Sequence, residues 1–137
     1  MSSHRELIVW QRAMELVPMV YVVARRLPTE ERFALADQLR RAAISIPANI
    51  AEGQARQHMG EFIQMLSIAR GSLAEVDTLL LISVELGYAS AEDVVKAQNL
   101  VYSIRQLLQR LINHLRMSRG TMLATTQRAT PNAKRRT

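Results

Sequence analysis

Apolar residues recur along much of the chain at intervals of three and four, the spacing of one face of an α-helix. Four segments have this period, and short polar or glycine-containing stretches separate them. The pattern predicts helices over about 4–27, 30–57, 60–86 and 91–117. No segment of useful length alternates apolar and polar residues as a half-buried β-strand does. The predicted fold class is therefore all-α, an antiparallel up-down four-helix bundle.

Capping signals mark several of these boundaries. Ser3 followed by Glu6, and "SAED" at 90–93, have the spacing of a capping box. "LPTEER" at 27–32 supplies Thr29 as an N-cap followed by two glutamates of a first turn. Gly87 suits the left-handed residue that follows a helix. These signals favour four separate helices joined by short connections.

Each segment contains one apolar stripe that we expect to face the core. In the first segment the stripe is Leu7, Trp10, Met14, Val17, Tyr21 and Ala24. In the second it is Leu35, Leu39, Ala43, Ile46 and Ile50. In the third it is Phe62, Leu66, Ala69, Leu73, Val76 and Leu80, and in the fourth Ala97, Val101, Ile104, Leu108, Leu111 and Leu115.

Two stretches, 17–24 and 79–83, are apolar all round the helix. A monomeric bundle with solvated outer faces does not need this, so the surplus predicts self-association. A thick core with scattered surface aliphatics is the alternative interpretation.

The stretch "SIPANIAEG" at 45–53 places Pro47 inside the second helix, where proline costs about 3 kcal/mol and predicts a bend. Small residues lie opposite the bulky stripe of this helix: Ala48, Ala51 and Ala55. A polar seam separates the two faces: Arg41, Ser45, Asn49, Glu52 and Arg56. We interpret the seam, together with Pro47 and Gly53, as a packing and assembly motif. A direct ligand or RNA site is the alternative.

The formal charge of +6 is distributed unevenly. Residues 1–93 hold nine basic and all twelve acidic residues, a balance of −3, whereas 94–137 hold nine basic residues and no acid, a balance of +9. Residues 118–137 contain few apolar residues and two helix breakers, which predicts a disordered basic tail. The candidate nucleic-acid contacts are Arg105, Arg110, Arg116, Arg119, Arg128, Lys134, Arg135 and Arg136. A tail of no functional consequence is the alternative.

Other chemistry finds little support. The chain has no cysteine, which excludes disulfides and thiolate metal sites. None of His4, His58 and His114 has a carboxylate three residues before it, so the Glu-x-x-His pairs of di-metal bundles are missing. No glycine-rich phosphate loop follows a strand, and no apolar run is long enough to span a bilayer. We expect a soluble, cytoplasmic protein that is not an enzyme and has no cofactor or metal.

Three segments resemble one known family: "QLRRAAISIPANIAEG" at 38–53, "EF" at 61–62 and "IARGSLAEV" at 68–76. They look like the four-helix-bundle proteins encoded in intervening sequences of bacterial 23S ribosomal RNA genes, with a match from about Leu7 to Leu115. That family is similar to the accessory variability determinant of diversity-generating retroelements, a helper of a reverse transcriptase. The resemblance implies a homopentameric ring without a catalytic centre. For the retroelement relatives it also implies binding of nucleic acid and of the reverse transcriptase.

The chain departs from the family pattern just after the central motif. "EGxGRxS" is common there, whereas this sequence reads "EGQARQHMG", with Ala55 replacing a glycine and His58 replacing the serine. We therefore expect a different cap at the second connection, with Gly60 easing the turn.

Two functional hypotheses follow. In the first, an oligomeric scaffold binds RNA or DNA through a strip of Arg105, Arg116 and Arg119, with Arg110 elsewhere on the exposed face. Because the few aromatic residues fall mostly in apolar stripes, this binding is expected to be electrostatic and sequence-tolerant, without base stacking. In the second, the protein is an interaction module or an intervening-sequence passenger whose arginines are only solvated surface.

Overall fold

Four α-helices form the chain in the computed structural model, which describes the backbone of residues 3–129 and the side chains of residues 3–121. α1 spans Ile8–Arg26, α2 spans Leu35–Ala55, α3 spans Met59–Glu85 and α4 spans Ala91–Ala129. One-turn 3₁₀ helices, His4–Glu6 and Thr29–Glu31, precede α1 and α2. Residues 3–129 contain no strand, and the predicted all-α class is confirmed.

The helices pack in chain order around one core. α1 packs against α2, α2 against α3 and α3 against α4, and α4 closes the bundle against α1. The connections are short, so neighbouring helices are antiparallel and the topology is up-down. Among the described residues, no helix combines the length and the apolar content that crossing a membrane requires.

Local chemistry explains the connection between α3 and α4. Gly87 adopts a φ of 76°, the left-handed conformation that glycine adopts without strain, and its N–H donates to the Val84 carbonyl over 2.9 Å. The Ser90 hydroxyl then accepts from the Asp93 N–H over 3.2 Å, and the Asp93 carboxylate accepts from the Ser90 N–H over 2.8 Å. The capping box predicted at 90–93 is therefore present.

The first two helices start later than the sequence pattern predicts. Ser3 caps only the 3₁₀ turn His4–Glu6, and Leu7 is extended before α1 begins. Thr29–Glu31 is likewise a separate turn, because Ala34 adopts a non-helical φ of −117° and ψ of −102° before α2. Glu31 accepts a hydrogen bond from the Tyr88 hydroxyl over 3.1 Å, which links this turn to the connection between α3 and α4.

The predicted core stripe of the first segment is confirmed at its two ends, where Leu7 and Ala24 are buried, but is wrong by about one residue between them. Val9, Ala13, Leu16, Val20 and Val23 are buried, whereas Trp10, Val17 and Tyr21 are half-buried and Met14 is 45% exposed. One position corresponds to a rotation of 100° about the helix axis. Since this segment is apolar almost all round, periodicity alone could not decide which face is buried.

The other stripes agree better with the structure. Every predicted stripe residue of α2 is buried, and in α3 only Phe62 is half-buried. In α4 the first four predicted positions are buried, while Leu111 and Leu115 are half-buried and Ile112 completes the core. Pro47 lies buried inside a continuous α2. The bend expected there stays a prediction.

α4 ends at Ala129 rather than near 117. The segment 118–129 is rich in residues that favour helix, such as Ala, Leu, Met, Gln and Arg, and Gly120 is its one strong helix breaker before Pro131. One glycine costs about 1 kcal/mol in a helix, which the neighbouring residues can offset. The remainder of the predicted disordered tail, 130–137, lies outside the described residues.

Candidate nucleic-acid interface

Among the residues whose side chains are described, the arginines of α4 have no carboxylate partner, as is also true of Arg25 in α1 and Arg70 in α3. In the part of the chain whose side chains are described, the ion pairs are Arg12–Glu15, Arg26–Asp93, Arg40–Asp37, Arg41–Asp37 and Arg56–Glu52. All of these lie within residues 1–93, and the last acidic residue of the chain is Asp93. Within residues 3–121, the guanidinium groups of α4 therefore have no carboxylate at ion-pair distance.

The four predicted contacts with described side chains are exposed: Arg105, Arg110, Arg116 and Arg119. None of them has an ion-pair partner among residues 3–121. The side chains of the other four predicted contacts, Arg128, Lys134, Arg135 and Arg136, lie outside the described residues.

A tight contact places one end of the predicted strip over the start of α3. The Arg119 guanidinium lies so close to Gly60 that a Cβ added there would come within 2.9 Å of Nη1. By helical geometry Arg105 and Arg116 fall within about 60° of Arg119, so the strip follows the α3 side of α4. Arg110 projects from another part of the exposed face. Gly60 lies in the first turn of α3 and has no positive φ, so it does not form the turn as expected but leaves room for a basic side chain.

Arg70 of α3 joins this edge of the bundle and is not among the arginines predicted from the sequence. Its Nη1 donates to Gln109 Oε1 over 2.6 Å, and Gln109 Nε2 donates to Asn113 Oδ1 over 2.9 Å. Arg70 is half-buried and has no ion pair among the described side chains. Arg70 lies on α3 and the strip lies on α4, so no residue spacing within one helix could have linked Arg70 to the strip.

Two aromatic rings are exposed rather than enclosed in apolar stripes. The Tyr102 side chain is 55% exposed, and the Arg105 guanidinium lies 5.4 Å from its ring centroid. Phe33 is 84% exposed, and the Arg32 guanidinium lies 5.2 Å from its ring centroid. The expectation that the aromatic rings offer no stacking surface therefore fails at these two positions. The spacing of Tyr102 and Arg105, three apart on one helix, was the available sequence signal.

The predicted packing motif at 45–53 of α2 forms contacts between α2 and α3. The Ser45 and Ser72 hydroxyl oxygens lie 2.7 Å apart, and the Asn49 side-chain amide donates to Ser45 Oγ over 2.8 Å and to the Ser45 carbonyl over 2.7 Å. At the end of α2, a Cβ added to Gly53 would lie 2.8 Å from Met65 Cβ and 2.9 Å from a Phe62 ring carbon. Ser45, Asn49 and Gly53 therefore set a close approach of the two helices.

The charged members of the seam pair along their own helix. Arg41 Nε donates to Asp37 over 2.9 Å, and Arg56 Nη2 donates to Glu52 over 2.7 Å. The hydrogen bond and charge of Glu52, joined by the charge of Glu61, raise the pKa of Arg56. The seam is therefore two exposed ion pairs flanking one hydrogen-bonded cluster, and it contains no unpaired charge that would attract a ligand.

The residues described provide no metal centre. Among them, no group of three histidine or carboxylate side chains could hold a metal ion. His4 packs edge-on against Trp10 with the ring centroids 5.0 Å apart.

Comparison with known proteins gives the following matches. A family model described as "23S rRNA-intervening sequence protein" matches residues 5–110. A crystal structure from Bacteroides thetaiotaomicron, described as a protein with unknown function from the S23 ribosomal protein family, is 26% identical to the chain. The match has a TM-score of 0.71 and covers 77% of this chain and 96% of that chain. No curated protein matches the chain.

Proposed function

The chain belongs to the 23S rRNA-intervening sequence protein family, and we propose that it is a non-catalytic, homo-oligomeric scaffold that binds nucleic acid electrostatically. The observation that carries this proposal is the absence of carboxylate partners for the α4 arginines within residues 3–121. Elsewhere in that part of the chain, exposed arginines are paired repeatedly. Unpaired guanidinium groups on one helix suit phosphate, which accepts hydrogen bonds from the planar arginine fork.

Self-association is supported by an apolar outer surface shared by α1 and α2. Ile8 lines a cleft with Leu107 and Leu111 of α4, so the opposite side of α1, which presents Trp10 and Tyr21, lies toward α2. Ser45 faces α3, which turns Ile44 away from α3 and toward the same outer surface.

We name this surface the α1/α2 outer surface. Its members are half-buried or exposed apolar side chains: Trp10, Met14, Val17, Tyr21, Ile44, Ala48, Ala51 and Ala55. Water contact with so much apolar area is unfavourable, and small residues allow a second helix to approach closely. A second copy of the chain is the proposed occupant, and the family resemblance makes a pentamer the proposed assembly. Five copies would multiply the weak phosphate contacts of one α4 strip.

The family description refers to 23S rRNA, so a single-stranded RNA of about 20 nucleotides is the first probe, with DNA of the same sequence beside it. Neutralising Arg105, Arg116 and Arg119 to Gln in the full chain removes about three phosphate contacts. The slope of log affinity against log salt should then fall by about 2, at about 0.7 per phosphate on a single strand. Fluorescence anisotropy from about 50 to 200 mM salt measures this slope.

A matched control separates the strip from total charge. Arg12, Arg26 and Arg41 lose the same three charges when changed to Gln, but each already has a carboxylate partner. The control should keep the salt slope of the unmodified chain. Equal losses in the two triple variants would reduce the effect to net charge, and absence of binding near 50 mM salt would leave the interaction-module function.

The α1/α2 outer surface also favours that second function, a module that binds a protein. A reverse transcriptase is one proposed partner, and the proposed setting is the cytoplasm. Co-purification of the oligomer with a reverse transcriptase encoded beside it would support the accessory role.

A further inference from the structure

A cleft of about 240 Å³ lies at the α1–α2 connection, near the end of the bundle where α4 begins. Its charged lining consists of Arg25 at the end of α1, Arg32 in the connection and Arg40 in α2, and no carboxylate residue lines it. A water molecule takes about 30 Å³ of liquid volume, so the cleft has room for a phosphate group and several waters. The net charge of residues 1–93 is negative, so the distribution of charge along the sequence does not reveal this basic cluster.

Arg25 and Arg32 have no ion pair among the described side chains, and the one ion pair of Arg40, to Asp37, is long at 4.0 Å. Arg25 is exposed and has no ion pair among the described side chains. Arg32 lies over the Phe33 ring instead of a carboxylate. Arg40 is 28% exposed at its side chain and is fixed by the hydrogen bond from its Nη2 to the Arg32 carbonyl, 3.1 Å long.

Two of the nearby carboxylates, Asp37 and Glu31, have closer partners than the arginines of the cleft. Asp37 lies 4.0 Å from Arg40 but only 2.9 Å from Arg41 Nε, so Arg41 is its main partner. Glu31 accepts from the Tyr88 hydroxyl over 3.1 Å. This hydrogen bond, with desolvation of the hydroxyl and the charges of Glu31 and Glu30, raises the pKa of Tyr88. The cleft is therefore more positive than the sequence around it.

We propose that this cleft binds a phosphomonoester that carries a nucleobase, either a free mononucleotide or the phosphorylated end of a single strand. A phosphomonoester carries a charge of about −1.5 to −2 at neutral pH, which suits three guanidinium groups better than a singly charged diester does. The Thr29 hydroxyl, also in the lining, can hydrogen-bond to a phosphate oxygen. The Phe33 ring, 84% exposed beside Arg32, offers a face on which the base can stack.

The site is separate from the α4 strip and is tested separately. Titration of isotope-labelled full-length protein with AMP, adenosine and inorganic phosphate at about 0.15 M salt, followed by NMR, locates binding residue by residue. AMP and phosphate should shift amides between 25 and 40 in a saturable manner, whereas adenosine should not. Shifts that spread equally over arginines of all helices would overturn the proposal, as would the absence of saturable shifts with AMP.

Single substitutions then separate the contribution of the arginine charge to AMP binding from that of base stacking on Phe33. Arg25→Gln should weaken AMP binding about tenfold, since it removes one charged hydrogen bond. Arg110→Gln, an equal charge loss on an unpaired arginine of α4, should leave it unchanged. Phe33→Ala should weaken AMP about fivefold without affecting inorganic phosphate. Equal effects of Arg25→Gln and Arg110→Gln would overturn the site.

Oligonucleotides identify the source of the phosphate. If a short strand with a 5′-phosphate binds the cleft more tightly than AMP does, the site is assigned to strand ends. If AMP binds more tightly than the strand, the site is assigned to mononucleotides. Equally tight binding of a 5′-hydroxyl strand at the cleft would overturn the phosphomonoester. Neutralising Arg105 and Arg116 should weaken long RNA and leave AMP unaffected, so failure at one site does not imply failure at the other.

Discussion

The hydroxyl oxygens of Ser45 in α2 and Ser72 in α3 lie 2.7 Å apart, in the half-buried groove between the two helices. Ser45 Oγ already accepts from the Asn49 amide over 2.8 Å, which leaves the Ser45 proton free to point at Ser72. A polar cluster that spans two helices fixes their relative translation, because sliding by one turn would leave its partners unpaired.

Ser72→Ala removes the partner from α3 and should lower the free energy of unfolding by about 1 kcal/mol. Ser67→Ala is the matched control. Ser67 is also half-buried in α3, but its hydroxyl bonds to the Ile63 carbonyl of its own helix. Urea denaturation should give the smaller loss for Ser67→Ala. An equal or larger loss would remove the special role of the Ser45–Ser72 contact.

Alanine substitutions at two helical glycines should change the stability of the protein in opposite directions. Gly53→Ala places a Cβ 2.8 Å from Met65 Cβ, close to the backbone of α3, and should destabilise the protein by about 2 kcal/mol. Gly71 has nothing within 4 Å of an added Cβ and lies exposed inside α3, so Gly71→Ala should stabilise it by about 0.5–1 kcal/mol. Thermal unfolding compares the two variants. A neutral or stabilising Gly53→Ala would contradict the close helix approach.

Acid should weaken the cap at the start of α4. Hydrogen bonds from Ser90 lower the pKa of Asp93, and the Arg26 guanidinium, 2.8 Å away, lowers it further. A carboxyl whose pKa is depressed on folding stabilises the native state above its unfolded pKa, about 3.9, and loses this contribution as the pH falls through the folded value. Asp93→Asn should therefore melt below the unmodified chain at pH 7. The difference between the melting curves should shrink as the pH falls below about 4, and a constant difference at all pH values would contradict this assignment.

Self-association should depend on Ile44 and not on Ile68. Their exposed fractions are nearly equal, 46% and 45%, but Ile44 belongs to the α1/α2 outer surface and Ile68 lies on the outer face of α3. Ile44→Glu buries a charge in the proposed contact and should reduce the oligomer to smaller species, whereas Ile68→Glu should leave it intact. Sedimentation equilibrium measures both variants. Loss of assembly in Ile68→Glu alone would place the contact on α3.

The sequence predicts the helices well where polar and apolar faces are distinct. In α2, bulky residues and small residues lie on opposite sides, and the predicted buried face is confirmed. In α1, the apolar stretch 17–24 surrounds the helix, so the choice between Met14 and Leu16 depends on how α2 and α4 pack against it. Which face of such a helix is buried depends on tertiary contacts, and the periodicity of the sequence does not encode those contacts.

The candidate sites follow the same rule. The α4 arginines were predictable, because no acidic residue follows Asp93, which lies in the first turn of their helix. The cleft of Arg25, Arg32 and Arg40 was not predictable, because its members come from three elements and have acidic neighbours in the chain. Only the fold reveals that Asp37 pairs more closely with Arg41 than with Arg40 and that Glu31 bonds to Tyr88.

The most direct test of the scaffold is the mass of the unmodified full-length chain in solution. One chain has a mass of 15.5 kDa. Multi-angle light scattering at micromolar concentration should give a multiple of this mass, with five copies as the proposed value. A stable species with the mass of one chain would contradict self-association through the α1/α2 outer surface, and with it the multiplied arginine strip.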